Sequence, residues 1–190
     1  AFKDEHRAAR ACADLFGVRL ETIDLKWYER LANSPIVGKG NLRRFTREDL
    51  SLPKDELLAQ TWLPNRNPVL ISIAAAYAES LRADAIVAGF NKEEAEVFPD
   101  NSEDFVRAFN SLLELSTRMK VAVRSFTIEL TKTEIVALGL RIGAPLDIVY
   151  SCYRRGEGGR MCGECQSCVR LKKAFAENNV LEKFQARFVK

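Results

Sequence analysis

The chain has 190 residues, of which 47% are hydrophobic and 29% charged, a composition with enough apolar content for a folded core. This length suits one domain, or one domain with an appendage. Lys and Arg (29) barely exceed Asp and Glu (26), so charge gives no argument for a nucleic-acid partner. The longest apolar stretch, around VLISIAAAYA, is far too short to span a bilayer. With no signal-like segment, the expected setting is reducing and cytoplasmic, without a membrane.

In chain order, EHRAARACADLFG has the helical spacing of Ala9, Cys12, Ala13 and Phe16, with Gly17 as a stop. VRLETID alternates as a short strand, and LKWYERLA reads as a brief helix. Residues 33–62 show little periodicity and include GKGNLRRFTRED, which predicts a lid, a binding loop or disorder. NPVLISIAAAYAESLRA is helical and apolar nearly all round, as for a helix buried against a sheet. AIVAGF reads as a fully buried strand, SEDFVRAFNSLLELST as an amphipathic helix, and VAVRSFTI as a further strand. TKTEIVALGLRIG is a helix opening on the capping box Thr131 and Glu134. QSCVRLKKAFAENN is a last long helix. Strands alternating with helices predict an α/β fold whose parallel sheet is covered by helices on both faces. The expected division is an α/β nucleotide-binding domain over 1–150 and a metal-binding segment over 151–190.

Four of the five cysteines crowd into CYRRGEGGRMCGECQSC, at Cys152, Cys162, Cys165 and Cys168. Their neighbours are Arg, Gly and Glu, so apolar packing does not account for them. The spacing C-x9-C-x2-C-x2-C favours a closed tetrahedral Zn2+ site that holds structure, with Gly163 allowing the turn. An iron–sulfur cluster and disulfides are the alternatives. The fifth cysteine, Cys12, is expected to have no metal role.

Three loops carry candidate binding groups. In LPNRNP, Asn67 is suited to cap the following helix and Pro68 to its first turn, which sets Arg66 beside a helix N-terminus. Amides and a cation there could hold an anion, and a plain surface arginine in a well-made cap is the bland alternative. In GFNKEEAEVFPDN, Gly89 follows a strand and Glu93, Glu94 and Asp100 cluster in the loop. A solvated acidic loop is the commoner meaning of such a cluster. Lys132 lies in the first turn of its helix, where the macrodipole disfavours a cation; a bound phosphate would explain the choice, and a solvated lysine, costing only about a few tenths of a kcal/mol, is the bland alternative. Arg66, Asn67 and Lys132 are expected to border one cleft at the carboxyl edge of the sheet.

Taken together, LPNRN before an alanine-rich helix, AGFNKEEAEVFPDNSEDFVRAFN, TKTEIVALG and CY…CGECQSCVRLKKAF resemble the 7-cyano-7-deazaguanine synthase family of the ATP pyrophosphatase group. The likeness runs from about residue 4 to residue 178. It implies an adenine nucleotide α-hydrolase-like fold and the conversion of 7-carboxy-7-deazaguanine and ammonia to the nitrile, for queuosine and archaeosine. It further implies ATP with Mg2+, an adenylated carboxylate, and Zn2+ on the four cysteines. Lys132 and Arg66 are then the expected catalytic residues, and Asn67, Gly89, Glu94, Phe98 and Asp100 the expected substrate-binding residues. The family opens with a Ser-Gly-Gly-x-Asp-Ser phosphate loop, whereas this sequence enters the pattern at EHRAARACA, so upstream residues are expected. Many bacterial members carry a Thr-Asp-Phe-Ser-Gly-Tyr-Pro-Asp-Cys loop; here Asp100 follows Pro99, and Phe98 stands in place of the tyrosine. Expected partners are the small-molecule substrate, ammonia and a second copy in a homodimer, with no direct nucleic acid. The competing functions are a related ATP pyrophosphatase that thiolates or amidates tRNA, and a non-catalytic zinc-stabilised binding module.

Overall fold

The computed structural model describes residues 2–154 and 156–189. Helices α1 (Phe2–Phe16), α2 (Lys26–Leu31), α3 (Lys54–Thr61) and α4 (Arg66–Leu81) precede the first strand, β1 (Ala85–Val87). The short α5 (Lys92–Ala95) and the longer α6 (Glu103–Ser116) lead to β2 (Ala122–Arg124). Helices α7 (Lys132–Arg141), α8 (Gln166–Glu177) and α9 (Leu181–Phe184) follow. The chain divides into two compact units, one of residues 63–131 and one of residues 1–62 with 132–190.

In the unit of residues 63–131, β1 and β2 pair in parallel, with Ala85 opposite Ala122, Ile86 opposite Val123 and Val87 opposite Arg124. Helix α4 packs on β1 through Ile71, Ala75 and Ala78, which share one helical face. Helix α6 packs on β2 and is capped by Ser102, whose hydroxyl accepts from the Phe105 amide at 3.1 Å. Phe90 and Phe109 join Leu113, Val121 and Val123 in a hydrocarbon core, with Phe105 against them. Asn110 on α6 closes the outer edge of β2. Its Oδ1 accepts from the Val123 amide at 2.7 Å, and its Nδ2 donates to the Val123 carbonyl at 3.1 Å.

The structure corrects the expected fold class. Instead of a broad parallel sheet covered on both faces, the described residues form a mostly helical molecule with one two-stranded sheet. Alternating hydrophobicity assigns side chains to faces, but a strand exists only where a neighbour pairs its amides and carbonyls. VRLETID alternates and finds no strand partner among the described residues; Val18 is 59% and Ile23 42% exposed. AIVAGF, expected to be buried throughout, pairs only over Ala85–Val87 and leaves Val87 65% exposed. Asn110 already holds the outward-facing backbone of Val123, so no strand can add there.

In the other unit, α1 ends at Gly17 through paired bonds, Gly17 N–H to Asp14 and Val18 N–H to Ala13, the Schellman pattern. Helices α7 and α8 pack together. The expected loop over residues 33–62 is more ordered than its sequence suggests. It contains α3 and 3-10 turns at Pro35–Val37 and Glu48–Ser51, and buries Ser34, Leu57 and Thr61. Gln60 ties it together: its carbonyl accepts from the Ser34 hydroxyl at 3.3 Å, and its Oε1 from the Arg43 amide at 3.0 Å. The core of this unit gathers Val136, Met161, Leu171, Ala174, Phe175, Phe184 and Phe188 around three fully buried cysteines, Cys152, Cys165 and Cys168.

Candidate functional site

The four clustered cysteines are brought together by local backbone features. A Cβ at Gly156 would lie 2.0 Å from the Arg160 carbonyl oxygen, so only glycine lets the loop after Cys152 fold back on itself. The Met161 amide donates to Arg187 and the Val189 amide to Met161, both at 2.8 Å, which fixes the chain entering Cys162. Gly163, at a φ of 78°, turns the backbone between Cys162 and Cys165. Cys165 then precedes α8, and Cys168 lies in that helix's first turn.

The four sulfur atoms lie within 4.8 Å of one another, and those of Cys162 and Cys168 are 3.9 Å apart. Four Zn–S bonds of about 2.3 Å in a tetrahedron place sulfurs about 3.8 Å apart, so the residues present fit zinc. Backbone amides already serve the sulfurs: Cys162 N–H points at Cys152 Sγ and Cys165 N–H at Cys162 Sγ, each at 3.3 Å. The four thiols strongly perturb one another. Hydrogen bonding from Cys152, then from the other two, drives the Cys162 pKa far down. Hydrogen bonding from Cys152 lowers Cys165 to about 7. The same contacts push Cys168 up, and hydrogen bonding with Cys162 and Cys165 pushes Cys152 up. A divalent cation takes the place of the thiol protons. No disulfide links the cysteines. The cluster is a structural zinc site, and four thiolates leave the ion no open position for chemistry.

Two features of this centre were not legible in the sequence. Its polar flanks gave no sign that the sulfurs sit inside an apolar core, because the apolar partners arrive from α8 and from Phe184 and Phe188. Nor did the sequence show that residues 42–45 are tied to the cysteine turn. Phe45 N–H donates to the Glu164 carbonyl at 2.7 Å, and Arg154 pairs with the Glu164 carboxylate at 2.8 Å while also donating to the Leu42 carbonyl. Tyr150 lies against the same core. Burial raises its phenol pKa, with the Cys152 sulfur and then the Asp4 carboxylate pushing in the same direction.

The remaining candidate residues fall in both units. Arg66 is the first residue of α4, a helix of 16 residues. The expected capping role of Asn67 is corrected: Asn65, in the left-handed region at a φ of 57°, occupies the cap position, and no side chain caps the helix. Asn67 sits one residue inside α4, buried, and its Nδ2 donates to the Asp100 carbonyl at 2.9 Å. That bond joins the start of α4 to the turn Pro99–Asn101. Phe98, also buried, precedes this turn, and its amide donates to the Glu94 carbonyl at 2.7 Å. Glu94 itself lies in α5, whose cap Asn91 accepts from the Glu94 amide at 3.1 Å. Gly89 is exposed, two residues past β1. Asn67, Glu94, Phe98 and Asp100 are thus linked within residues 63–131, whereas Lys132, the first residue of α7, belongs to the other unit.

Comparison with known proteins places this arrangement. The family model described as "Queuosine biosynthesis protein QueC" matches residues 2–179. A 7-cyano-7-deazaguanine synthase of Methanobrevibacter smithii is 39% identical over 178 residues, covering 92% of this chain and 77% of the relative. The protein of the same name from Desulforudis audaxviator is 42% identical over 172 residues, covering 90% of this chain and 77% of the relative. That of Carboxydothermus hydrogenoformans is 42% identical over 180 residues, covering 94% and 82%. With its cysteine centre and with this breadth of similarity, the chain belongs to the QueC family of queuosine biosynthesis proteins.

Proposed function

We infer that this chain is an ATP-dependent carbon–nitrogen ligase that converts 7-carboxy-7-deazaguanine and ammonia to 7-cyano-7-deazaguanine. The observation that carries this is the family match across residues 2–179, together with relatives bearing that enzyme's name along nine-tenths of the chain. The chemistry sets clear demands. A carboxylate must lose both oxygens to become a nitrile, and neither leaves unaided. Adenylation by ATP with Mg2+ makes one of them part of AMP, which ammonia displaces to give the amide; adenylation of the amide oxygen by a second ATP lets the other leave in the same way, giving the nitrile. Cations and helix N-termini stabilise the charge that develops on the phosphoryl group.

Arg66 and Lys132 supply that positive charge. Supporting this role, each opens a helix, and α4 presents its first-turn amides beside Arg66. Asn67, Gly89, Glu94, Phe98 and Asp100 bind the deazaguanine. The bond from Asn67 to Asp100 and the buried ring of Phe98 support a preformed pocket wall there. The enzyme works in the cytoplasm, where thiolate ligands stay reduced, and acts on a small molecule rather than on nucleic acid. Among the described residues no helix is long and apolar enough to cross a membrane. It acts as a homodimer; Leu70, Tyr77 and Leu81 form an exposed apolar row on α4 that suits a second copy.

The test is direct. Purified protein given 7-carboxy-7-deazaguanine, ATP, Mg2+ and ammonium should release 7-cyano-7-deazaguanine, identified by mass, together with AMP and pyrophosphate. A product that forms only when tRNA is added would assign the chain to a tRNA-modifying relative. No nucleotide turnover under any of these conditions would refute the ligase reading.

A further inference from the structure

Residues 42–47 and the start of α7 are far apart in the sequence, and one carboxylate joins them. Glu177, the last residue of α8, gives each of its oxygens to a different element. Its Oε1 accepts from Arg47 Nη2 at 2.6 Å, across 130 positions. Its Oε2 accepts from the Thr133 hydroxyl, also at 2.6 Å, in the first turn of α7. The neighbouring Asn178 holds the same residue a second time, donating from Nδ2 to the Thr133 carbonyl at 3.0 Å. The bond from Thr133 keeps the Glu177 carboxyl below the usual carboxylate range, so this link is charged at neutral pH. Residues 44 and 45 are pinned in turn to the cysteine turn. Phe45 N–H donates to the Glu164 carbonyl at 2.7 Å, and Arg44 pairs with the Glu164 carboxylate at 3.2 Å.

We propose that Glu177 is a positioning residue for Lys132: with Thr133 and Arg47 it fixes the first turn of α7 and so sets where the lysine ammonium meets the phosphoryl group. This rests on the cationic role inferred for Lys132. Lys132 adjoins Thr133 and is half-buried, so a turn anchored at Thr133 restricts the reach of its side chain. Without that anchor the turn is free to fray, because first-turn amides have no partner within their own helix. Hydrogen bonds to a carboxylate are stronger than neutral ones, but this contact lies at the surface, where solvent and salt weaken it. The effect is therefore moderate, and it falls on the reacting geometry more than on stability. Glu177 acts through the turn, not on the substrate.

The experiment uses the whole protein, loaded with zinc, and reads two quantities. In steady-state turnover, Thr133→Val and Glu177→Ala should each lower kcat about 5- to 10-fold and leave KM for 7-carboxy-7-deazaguanine unchanged. Both together should lose no more than either alone, since each breaks the same link. Thr133→Ser keeps the hydroxyl and should restore the wild-type rate. The second quantity needs no turnover: the rate at which an amine-acetylating reagent labels Lys132, measured by mass against the exposed Lys120. It should rise several-fold in Thr133→Val and Glu177→Ala and stay at the wild-type value in Thr133→Ser. Wild-type labelling in the first two variants would overturn the proposal, as would losses that add or a Thr133→Ser variant as impaired as Thr133→Val. A drop in unfolding temperature that matches the loss of turnover would also count against it, because the contact would then serve the fold alone. Wild-type protein without turnover would refute the ligase reading by itself, and the labelling would still decide whether Glu177 holds the Lys132 turn.

Discussion

The two units reach order by different means. Residues 63–131 close over a hydrocarbon core in which Phe90, Phe109, Leu113 and Val123 meet between two helices and a short sheet. The unit of residues 1–62 and 132–190 puts four sulfur atoms at the centre of its core and packs Met161, Phe175, Phe184 and Phe188 around them. The first core is held by apolar burial alone, which is graded: removing one side chain weakens it by a few kcal/mol. The second depends on an ion, and dependence on an ion is close to all or none. Zinc here holds structure in a unit that has no sheet of its own among the described residues.

This contrast is broken most directly by taking the metal away. Chelation of the zinc, in protein otherwise under native conditions, should remove on the order of 10 kcal/mol from the unit that contains it. Amide-exchange protection should collapse along α8, from Gln166 to Glu177, while α6 in the other unit keeps its own. Equal losses in both helices would show that the two cores are not independent. Cys165→Ser should behave as the chelated protein does.

The reverse experiment comes next in size. Phe109 is 6% exposed, and Phe109→Ala should cost about 3–5 kcal/mol by the cavity it leaves. Denaturant unfolding should report that loss, and zinc content should not change. A variant that loses zinc as well would erase the distinction between the cores.

If the roles proposed for Lys132 and Arg66 hold, Lys132→Ala and Arg66→Ala should each lower turnover by about 100-fold with little change in thermal unfolding, since each would remove a cation proposed to meet developing charge. Wild-type turnover with both replaced would remove them from the chemistry. A smaller effect is expected at Asn110. Asn110→Ala leaves the amide and carbonyl of Val123 without partners, at about 1–3 kcal/mol. Least of all, Cys12→Ala should leave zinc content unchanged, because this half-buried cysteine lies on α1, outside the cluster.

What could be read from the sequence follows the distance over which each feature is decided. The cysteine centre was legible because its ligands lie within seventeen residues and their spacing is itself the constraint. Helices α4, α6 and α8 were legible because their apolar periodicity runs over several turns. Helix α3 was not, because Leu57, Leu58 and Ala59 fall together in KDELLAQT and show no period. The breadth of the sheet was misjudged because pairing is a property of neighbours, and VRLETID has the pattern of a strand without a partner to make it one. Asn110 looked like any polar residue on an amphipathic helix; its hold on Val123 spans thirteen positions and depends on α6 lying against β2. The capping role given to Asn67 failed by two residues, since the chain enters α4 through the left-handed Asn65 and spends the Asn67 amide on Asp100 instead.

The central structural claim is that the four cysteines form a closed zinc site in the heart of one unit. X-ray absorption at the zinc edge of the purified protein, with metal content measured on the same sample, tests it most directly. The result expected is one zinc per chain with four sulfur neighbours at about 2.3 Å and no oxygen or nitrogen in the first shell. An oxygen or nitrogen ligand would mean an open site with a chemical role. Iron in place of zinc, with visible charge-transfer absorption, would contradict the account outright.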